Sequence, residues 1–170
     1  MQWDKITNII LLTSFAVLAV FVGLGLYQWI ARKSLKKVDK RLLFMPIPLA
    51  LMAATYFIFD KICVLNYRPD GSGEPSFPST HVMVVATIFF LTTLNLNKYV
   101  KQKPLQFIIE LLMLVLLALT CAGRVLADKH WLSDVIGALV FAFIFSVIYQ
   151  LILKIGAKKH GQHLHEDNKR

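Results

Sequence analysis

The sequence is poor in acidic residues and in cysteine. Of its 170 residues only 10 are Asp or Glu, against 19 Lys or Arg, and the two cysteines are Cys63 and Cys121. One pair of cysteines excludes the disulfide frameworks that stabilise small secreted domains. A disulfide between the two is sterically conceivable, but burial of each as a small apolar residue is the more common arrangement.

Charged residues of either sign are scarce, at 17% of the chain, whereas 56% of the residues are hydrophobic. The apolar residues come in runs of about 15 to 25, the length needed to cross a hydrocarbon core about 30 Å thick. A soluble domain of this size spreads its apolar residues periodically instead of in blocks. The sequence therefore predicts a single-domain integral membrane protein.

Five apolar runs predict an all-α, polytopic bundle of transmembrane helices, with spans at residues 6–30, 42–59, 82–96, 104–122 and 135–153. The first run is too long for the apolar region of a signal peptide, and no small-residue cleavage site follows it. We expect one membrane-embedded domain over residues 1–155 and a basic tail, residues 156–170, whose composition is typical of disorder.

The net charge of +9 comes mostly from three basic segments, residues 32–41, 98–103 and 154–170. They lie between or after spans, as the positive-inside rule expects of cytoplasmic segments. This pattern predicts an external N-terminus, a cytoplasmic C-terminus and no nucleic-acid partner. It also places the two remaining polar loops together on the extracytoplasmic side.

Those two loops, residues 61–81 and 124–134, carry the residues that suggest chemistry: Lys61, Arg68, His81, Arg124, His130 and Asp134. Guanidinium and ammonium groups bind phosphate oxygens, and arginine adds bidentate geometry. The alternative is that each cation is an interfacial anchor that snorkels towards headgroups. Residues 70–76 contain two glycines and few apolar anchors, which predicts a mobile lid.

Ser79, Thr80 and His81 open the third predicted span. A hydroxyl residue here is placed to cap the helix, and the free N–H groups of a helix N-terminus favour an anion. An imidazole at the same place can give a proton to a leaving oxygen. The alternative is a capping segment with an incidental histidine.

His130 and Asp134 are four residues apart, so on a helical turn they share one face. A carboxylate that accepts the N–H of a histidine leaves the other ring nitrogen free to act as nucleophile, base or metal ligand. The alternative is an ordinary ion pair at the end of a span. A metal site is disfavoured because the neighbouring cations would repel a divalent ion.

Three short patterns occur in order: Lys61, six residues, then Arg68-Pro69; Pro78-Ser79-Thr80-His81; and Arg124, five residues, His130, three residues, Asp134. Together they resemble the signature of the type 2 phosphatidic acid phosphatase family, which also includes vanadium haloperoxidases and glucose 6-phosphatase. The chain departs from the usual pattern at Gly123, where the family has Ser, and at Thr80, where it has Gly. Typical membrane members have six spans.

The resemblance implies a role for each matching residue. His130 would attack phosphorus to form a phosphohistidine, Asp134 would orient its ring, and His81 would protonate the leaving group. The phosphate-binding residues would be Lys61, Arg68, Ser79, Thr80 and Arg124. Neither a metal ion nor another cofactor is implied.

We therefore expect a metal-independent phosphoric or diphosphoric ester hydrolase in a bacterial plasma membrane, with its active site on the extracytoplasmic side. The substrate would be a lipid in the bilayer, of the undecaprenyl or isoprenoid diphosphate type or of the phosphatidic acid or phosphatidylglycerol phosphate type. A non-catalytic protein that binds anionic lipid and a phosphotransferase that uses the same site are the alternatives. The lipid and the oligomeric state stay open.

Overall fold

Helices make up most of the backbone that the structure describes. The computed structural model describes the backbone of residues 2–167 and the side chains of residues 2–156. The α-helices are α1 (Gln2–Arg32), α2 (Lys40–Phe44), α3 (Pro46–Phe57), α4 (Thr80–Tyr99), α5 (Lys103–Leu126) and α6 (Leu132–Asp167). Within the described backbone there is no strand, which confirms the all-α prediction.

The five predicted spans are confirmed as helical segments long and apolar enough to cross a membrane: Gln2–Arg32, Lys40–Ile62, Thr80–Tyr99, Lys103–Leu126 and Leu132–Gly156. Each is longer than its apolar run, because polar residues at both ends continue the helix. The orientation of the termini remains a prediction from the basic loops. The predicted disordered tail, residues 156–170, lies almost wholly outside the residues with described side chains.

The bundle is organised around α4. In its most apolar stretch 67% of the residues are buried, against 17% to 33% in the other four spans. It packs against α1, α3, α5 and α6, and Val82, Met83 and Val85 are fully buried. A helix covered by protein on all sides needs less apolar surface towards lipid, which explains why the shortest predicted span is also the least apolar.

The second span is assembled from short pieces. Pro46 occupies the first turn of α3, where a missing backbone N–H does little harm. After α3 the chain makes one π-helical turn, Ile58–Ile62. Such wide turns occur frequently at functional sites, and this one leads directly into the first polar loop.

Phe77 anchors the first polar loop to the bundle. Its ring makes edge contacts with Phe59, at the end of the second span, and with Phe141 of α6. Gly137 of α6 lies directly beneath it, and a Cβ at that position would collide with the ring. The start of α4 is thereby positioned against the start of α6.

At the opposite end of the bundle, a polar cluster joins three helices. Asp39 pairs with Lys98 (2.6 Å) and accepts hydrogen bonds from the Tyr99 hydroxyl (2.8 Å) and the Arg41 backbone N–H (3.0 Å). Burial works to raise the pKa of Asp39, but the hydrogen bonds from Lys98, Arg41 and Tyr99 outweigh it and hold that pKa below its usual value. Tyr149 adds α6 by donating to the Arg41 carbonyl (2.8 Å). We call Asp39, Arg41, Lys98, Tyr99 and Tyr149 the Asp39 cluster.

The two cysteines form no disulfide. Cys121 is half-buried in α5, close to the expectation for a small apolar residue. Cys63 is exposed at the end of the second span, so the expectation that it is buried is wrong. The π-helical turn ends one residue before it and carries it out of the packed core.

Candidate active site

The two polar loops meet where α4 and α6 begin and α5 ends. A cavity of about 300 Å³ lies between them. Its polar lining consists of Asp60, Arg68, Thr80, His81, Arg124 and His130. Five of the eight predicted site residues therefore face one space, although they come from distant parts of the chain.

His130 is held by the first loop. Its side chain is 4% exposed, and Nδ1 donates a hydrogen bond to the backbone carbonyl of Ser76 (2.8 Å). With Nδ1 protonated, Nε2 of the neutral ring carries a free lone pair. That nitrogen is suited to nucleophilic attack.

The prediction that Asp134 accepts the His130 N–H directly is wrong in this structure, since the closest approach of Nδ1 and Oδ2 is 3.8 Å. The reason is local: α6 begins only at Leu132, so His130 lies before the helix and four-residue spacing does not align the two side chains. Asp134 instead accepts hydrogen bonds from the Ser76 hydroxyl and the Trp131 backbone N–H (2.8 Å). Ser76 thus links the carboxylate to the imidazole.

The His130 ring is neutral at physiological pH. Burial lowers its pKa to about 4, and the charge of Arg124 acts in the same direction. The Ser76 carbonyl and Asp134 favour the protonated form, but less strongly. A neutral imidazole in a cationic pocket has the protonation state that a nucleophile needs.

Arg124 and Arg68 present unsatisfied donors. Arg124 is 4% exposed and pairs through Nη1 with Asp4 (2.7 Å), and Arg68 pairs with Glu74. In both residues Nε is buried and finds no partner among residues 2–156. Buried donors without acceptors are uncommon and are expensive unless something completes them.

The N-terminus of α4 adds further donors. Ser79 is the N-cap residue, but the prediction that a hydroxyl caps this helix is wrong, because the Ser79 side chain makes no cap bond. Its Oγ is fully buried and has no partner within the described side chains. Its backbone N–H donates to the Asp134 carbonyl (3.1 Å), which ties α4 to α6.

His81, one residue into α4, contacts α1. Its Nε2 lies 2.7 Å from Oδ1 of Asn8. Neither Asn8 nor Asp4 was expected at the site. Both belong to the first turns of a long apolar helix, and nothing in the sequence relates them to distant motifs.

Lys61 does not line the cavity. It lies in the π-helical turn with its side chain 65% exposed, and it pairs with Asp60 (2.7 Å). Asp60 is the residue of this turn that faces the cavity. Of the eight predicted site residues, Ser79 and Asp134 are also absent from the cavity lining, but both are buried beside it, whereas Lys61 is turned away.

The loop at residues 67–76 has more anchors than its composition predicts. Lys129 of the second loop pairs with Asp70 (2.8 Å), and Trp131 Nε1 donates to the Tyr67 carbonyl (2.9 Å). The hydrogen bond from Lys129 holds the pKa of Asp70 well below its usual value. These polar contacts do not fit a lid with little to hold it, because ionic and backbone partners replace the missing apolar ones.

Among the residues with described side chains, no group of three or more His, Cys, Asp or Glu is placed to hold a metal ion. Metal independence therefore stays a prediction that rests on chemistry. The described imidazoles at the cavity, His81 and His130, share it with the guanidinium groups of Arg68 and Arg124.

The comparisons with known proteins agree with this geometry. No curated protein sequence matches the chain. The fold is similar to the crystal structure of a transmembrane PAP2-type phosphatidylglycerolphosphate phosphatase from Bacillus subtilis, with a TM-score of 0.67 and 16% sequence identity over 89% of this chain and 76% of that one. The family model of the PAP2 superfamily matches residues 59–156. This stretch is more than half of the sequence and contains both polar loops, and the chain therefore belongs to the PAP2 superfamily.

Proposed function

We propose that this protein is a lipid phosphatase that removes a phosphate or diphosphate headgroup through a phosphohistidine on His130. One observation carries the proposal. Around a single cavity, a buried neutral imidazole lies with two buried guanidinium donors that lack partners in the described part of the chain, Arg68 Nε and Arg124 Nε. A third such donor, Ser79 Oγ, belongs to the residue that precedes Thr80 of the cavity lining. A phosphoryl group supplies the acceptors that these donors need, next to a nucleophile.

The reaction follows from the roles of two histidines. His130 Nε2 attacks phosphorus, the bond from phosphorus to the ester or anhydride oxygen breaks, and His81 gives that oxygen a proton. Water then attacks the phosphohistidine and His81 takes a proton from it, which releases phosphate and restores both rings. Arg68, Arg124 and Ser79 stabilise the charge on the phosphoryl oxygens, and preorganised donors of this kind usually contribute the largest share of catalysis.

The lining of the cavity supports a lipid substrate. Its remaining residues include Leu11 and Phe15 of α1, Tyr56 of α3 and Val84 of α4. Tyr56 lies four residues before Asp60, and Val84 lies four residues after Thr80. In each case the apolar residue is one helical turn, or about 6 Å, further from the polar loops along its helix. The cavity therefore passes from a cationic end into an apolar one within the span, as a headgroup joined to an acyl or isoprenoid chain requires.

The substrate class is a lipid phosphate monoester or an isoprenoid diphosphate. The Bacillus subtilis protein of similar fold is a phosphatidylglycerolphosphate phosphatase, which makes that lipid the first to test. Phosphatidic acid and undecaprenyl diphosphate complete the panel. The basic segments at the opposite end of the bundle favour an extracytoplasmic site in a bacterial plasma membrane.

Purified protein in detergent should release phosphate from at least one of these lipids, with equal rates in the presence and absence of a chelator. His130→Ala should abolish release, because it removes the nucleophile, and the phosphoenzyme trapped from wild type by an alkaline quench, in which a phosphohistidine is stable, should be absent from the variant. Phosphate release that survives His130→Ala would rule out the phosphohistidine route. Sensitivity to the chelator would rule out the metal-free chemistry.

Two other outcomes are distinguished by the same assay. Binding of a lipid phosphate without turnover identifies a non-catalytic lipid-binding protein, which the glycine in place of a serine at position 123 favours. Loss of lipid phosphate without free phosphate identifies transfer to another acceptor. In that case the phosphoryl group should be traced from a radiolabelled lipid into a second product.

A further inference from the structure

The start of α1 lies outside the stretch that matches the family, residues 59–156, yet it reaches the cavity. Trp3, Asp4, Thr7 and Asn8 occupy neighbouring positions on one face of the helix, because residues three and four apart lie above one another. Each of the four contacts α4 or α5 at the site. The first two turns of α1 are therefore part of the site's construction.

Gly123 explains how α1 comes so close. A Cβ at this position would lie 2.7 Å from Thr7 Cγ2 and 3.3 Å from Trp3 Cε3. The first distance is far inside van der Waals contact, and the β-branched threonine cannot turn its methyl group away freely. Only glycine permits this approach, which explains why the serine that the family usually carries before the arginine is absent here.

The close approach brings Asp4 to Arg124. Their ion pair occupies Nη1 of the guanidinium, and Nε has no partner among the described side chains. The rigid fork of the guanidinium means that fixing one nitrogen also fixes the direction of the others. The ion pair with Asp4 therefore sets the direction in which Nε of Arg124 points.

One turn further, Asn8 meets His81. Oδ1 of Asn8 lies 2.7 Å from Nε2 of His81, which is hydrogen-bond distance. With the amide oxygen as acceptor, Nε2 carries the proton. His81 is the residue that protonates the leaving oxygen in the function proposed above, so the position of this proton matters for the reaction.

We propose that Asn8 is a positioning residue for the general acid: its side-chain oxygen holds the Nε2–H of His81 at the cavity until the leaving oxygen of the substrate replaces it as acceptor. A second proton, taken up from solvent at Nδ1 as the anionic substrate binds, converts the neutral ring to an imidazolium. This imidazolium gives up the Nε2 proton as the bond between phosphorus and oxygen breaks, and a neutral ring with a proton on Nδ1 remains. This inference rests on the proposed phosphatase function.

A positioning role for the acid differs from a merely structural role in its dependence on the leaving group. An alkoxide must be protonated as it departs, whereas a nitrophenolate is stable without a proton. Loss of acid catalysis therefore slows the release of an alcohol far more than the release of a nitrophenol. A general loss of folding or of phosphate binding slows both alike.

The test compares an alkyl phosphate with a nitrophenyl phosphate that carries the same alkyl chain. The quantity compared is kcat/KM, because it reports transfer of the phosphoryl group to His130 and excludes the later hydrolysis, which both substrates share. For Asn8→Ala, kcat/KM on the alkyl phosphate should fall by about 10- to 100-fold, a part of the roughly 10²- to 10⁴-fold that general acid catalysis supplies, while kcat/KM on the nitrophenyl phosphate should change by less than about 3-fold. Asn8→Asp, which keeps the acceptor oxygen in place, should restore most of the loss, and Thr13→Val, an exposed position on the same helix, should behave as wild type.

Equal losses on the two substrates, or no loss on either, would overturn the inference while leaving the phosphatase function intact. A wild-type protein that hydrolyses neither the paired substrates nor the lipid panel would defeat the proposed function, and this inference with it. If Asn8→Ala does not fold, ¹⁵N NMR of histidine-labelled wild-type protein decides, with the His81 signals assigned by their loss in His81→Gln. A proton on Nε2 of the resting neutral ring supports the inference, and a proton on Nδ1 alone contradicts it.

Discussion

The two ends of this bundle carry the same kinds of residue in different states of pairing. In the Asp39 cluster each side chain has a partner: Asp39 accepts from Lys98 and Tyr99, and Arg41 donates to the Leu94 carbonyl (2.9 Å). Four buried side-chain atoms lack a partner within residues 2–156, and three of them, Arg68 Nε, Ser79 Oγ and Arg124 Nε, belong to the candidate active site.

The difference teaches how to separate structural polar residues from functional ones in a membrane bundle. Charge alone does not distinguish the two ends. A satisfied network stabilises the fold and specifies its packing, whereas a partly satisfied one is destabilising unless a ligand completes it. The end with unpaired donors is therefore the end at which we propose that the substrate binds.

The largest predicted loss of activity that tests the difference between the two ends is at Arg124. Arg124→Gln should lower kcat/KM by about 10²- to 10³-fold, because it removes donors aimed at developing charge. The free energy of unfolding should change by less than about 1 kcal/mol, since Asp4 is 37% exposed and stays hydrated when its partner is lost. Lys98→Gln, which removes a paired cation at the opposite end, is the matched control and should leave kcat/KM at the wild-type value.

A change at Asp39 should do the reverse. Asp39→Ala removes the acceptor shared by Lys98, Tyr99 and the Arg41 backbone, and should lower the free energy of unfolding by about 2–3 kcal/mol. Tyr99→Phe removes one of these hydrogen bonds and should lose about 1 kcal/mol. Unfolding in detergent measures both, and kcat of the folded fraction should be unchanged. A large loss of kcat with normal stability would mean that the two ends are functionally coupled.

The smallest predicted effect is a loss of stability at Gly123, where α1 packs against α5 beside the candidate active site. Gly123→Ser restores the usual family residue and should destabilise the protein by about 1–2 kcal/mol, because its Cβ overlaps the Thr7 methyl group. The double variant Gly123→Ser with Thr7→Ser removes that methyl group, keeps the hydroxyl and should recover much of the loss. Additive losses, measured as a double-mutant cycle, would show that the close contact does not limit this position.

Much of the fold could be predicted because the bilayer imposes a length and a composition on each span. All five predicted spans are helical, and their ends move outwards only by short polar extensions. The central place of α4 could not be predicted in the same way. A weakly apolar span is equally compatible with an edge position near polar loops, and only packing against four helices shows that it is enclosed.

The site was predicted where its residues lie in recognisable local patterns and missed where they do not. His81, Arg124 and His130 were found from short motifs. Ser76, by contrast, acts through a backbone carbonyl and a hydroxyl that meet two residues more than 50 positions away. Lys61 matched its motif, yet a π-helical turn places its side chain with Asp60, outside the cavity.

The sequence by itself determined that the chain forms helices across a membrane, and it specified the residue types from which the site is made. Hydrophobic length and charge distribution are properties of contiguous segments, so the linear order of residues is enough to encode them. Only the tertiary structure decided which buried donors stay without partners, and which side chains of α1 reach Arg124 and His81. Those outcomes depend on distances between helices, which close packing determines and which no single segment contains.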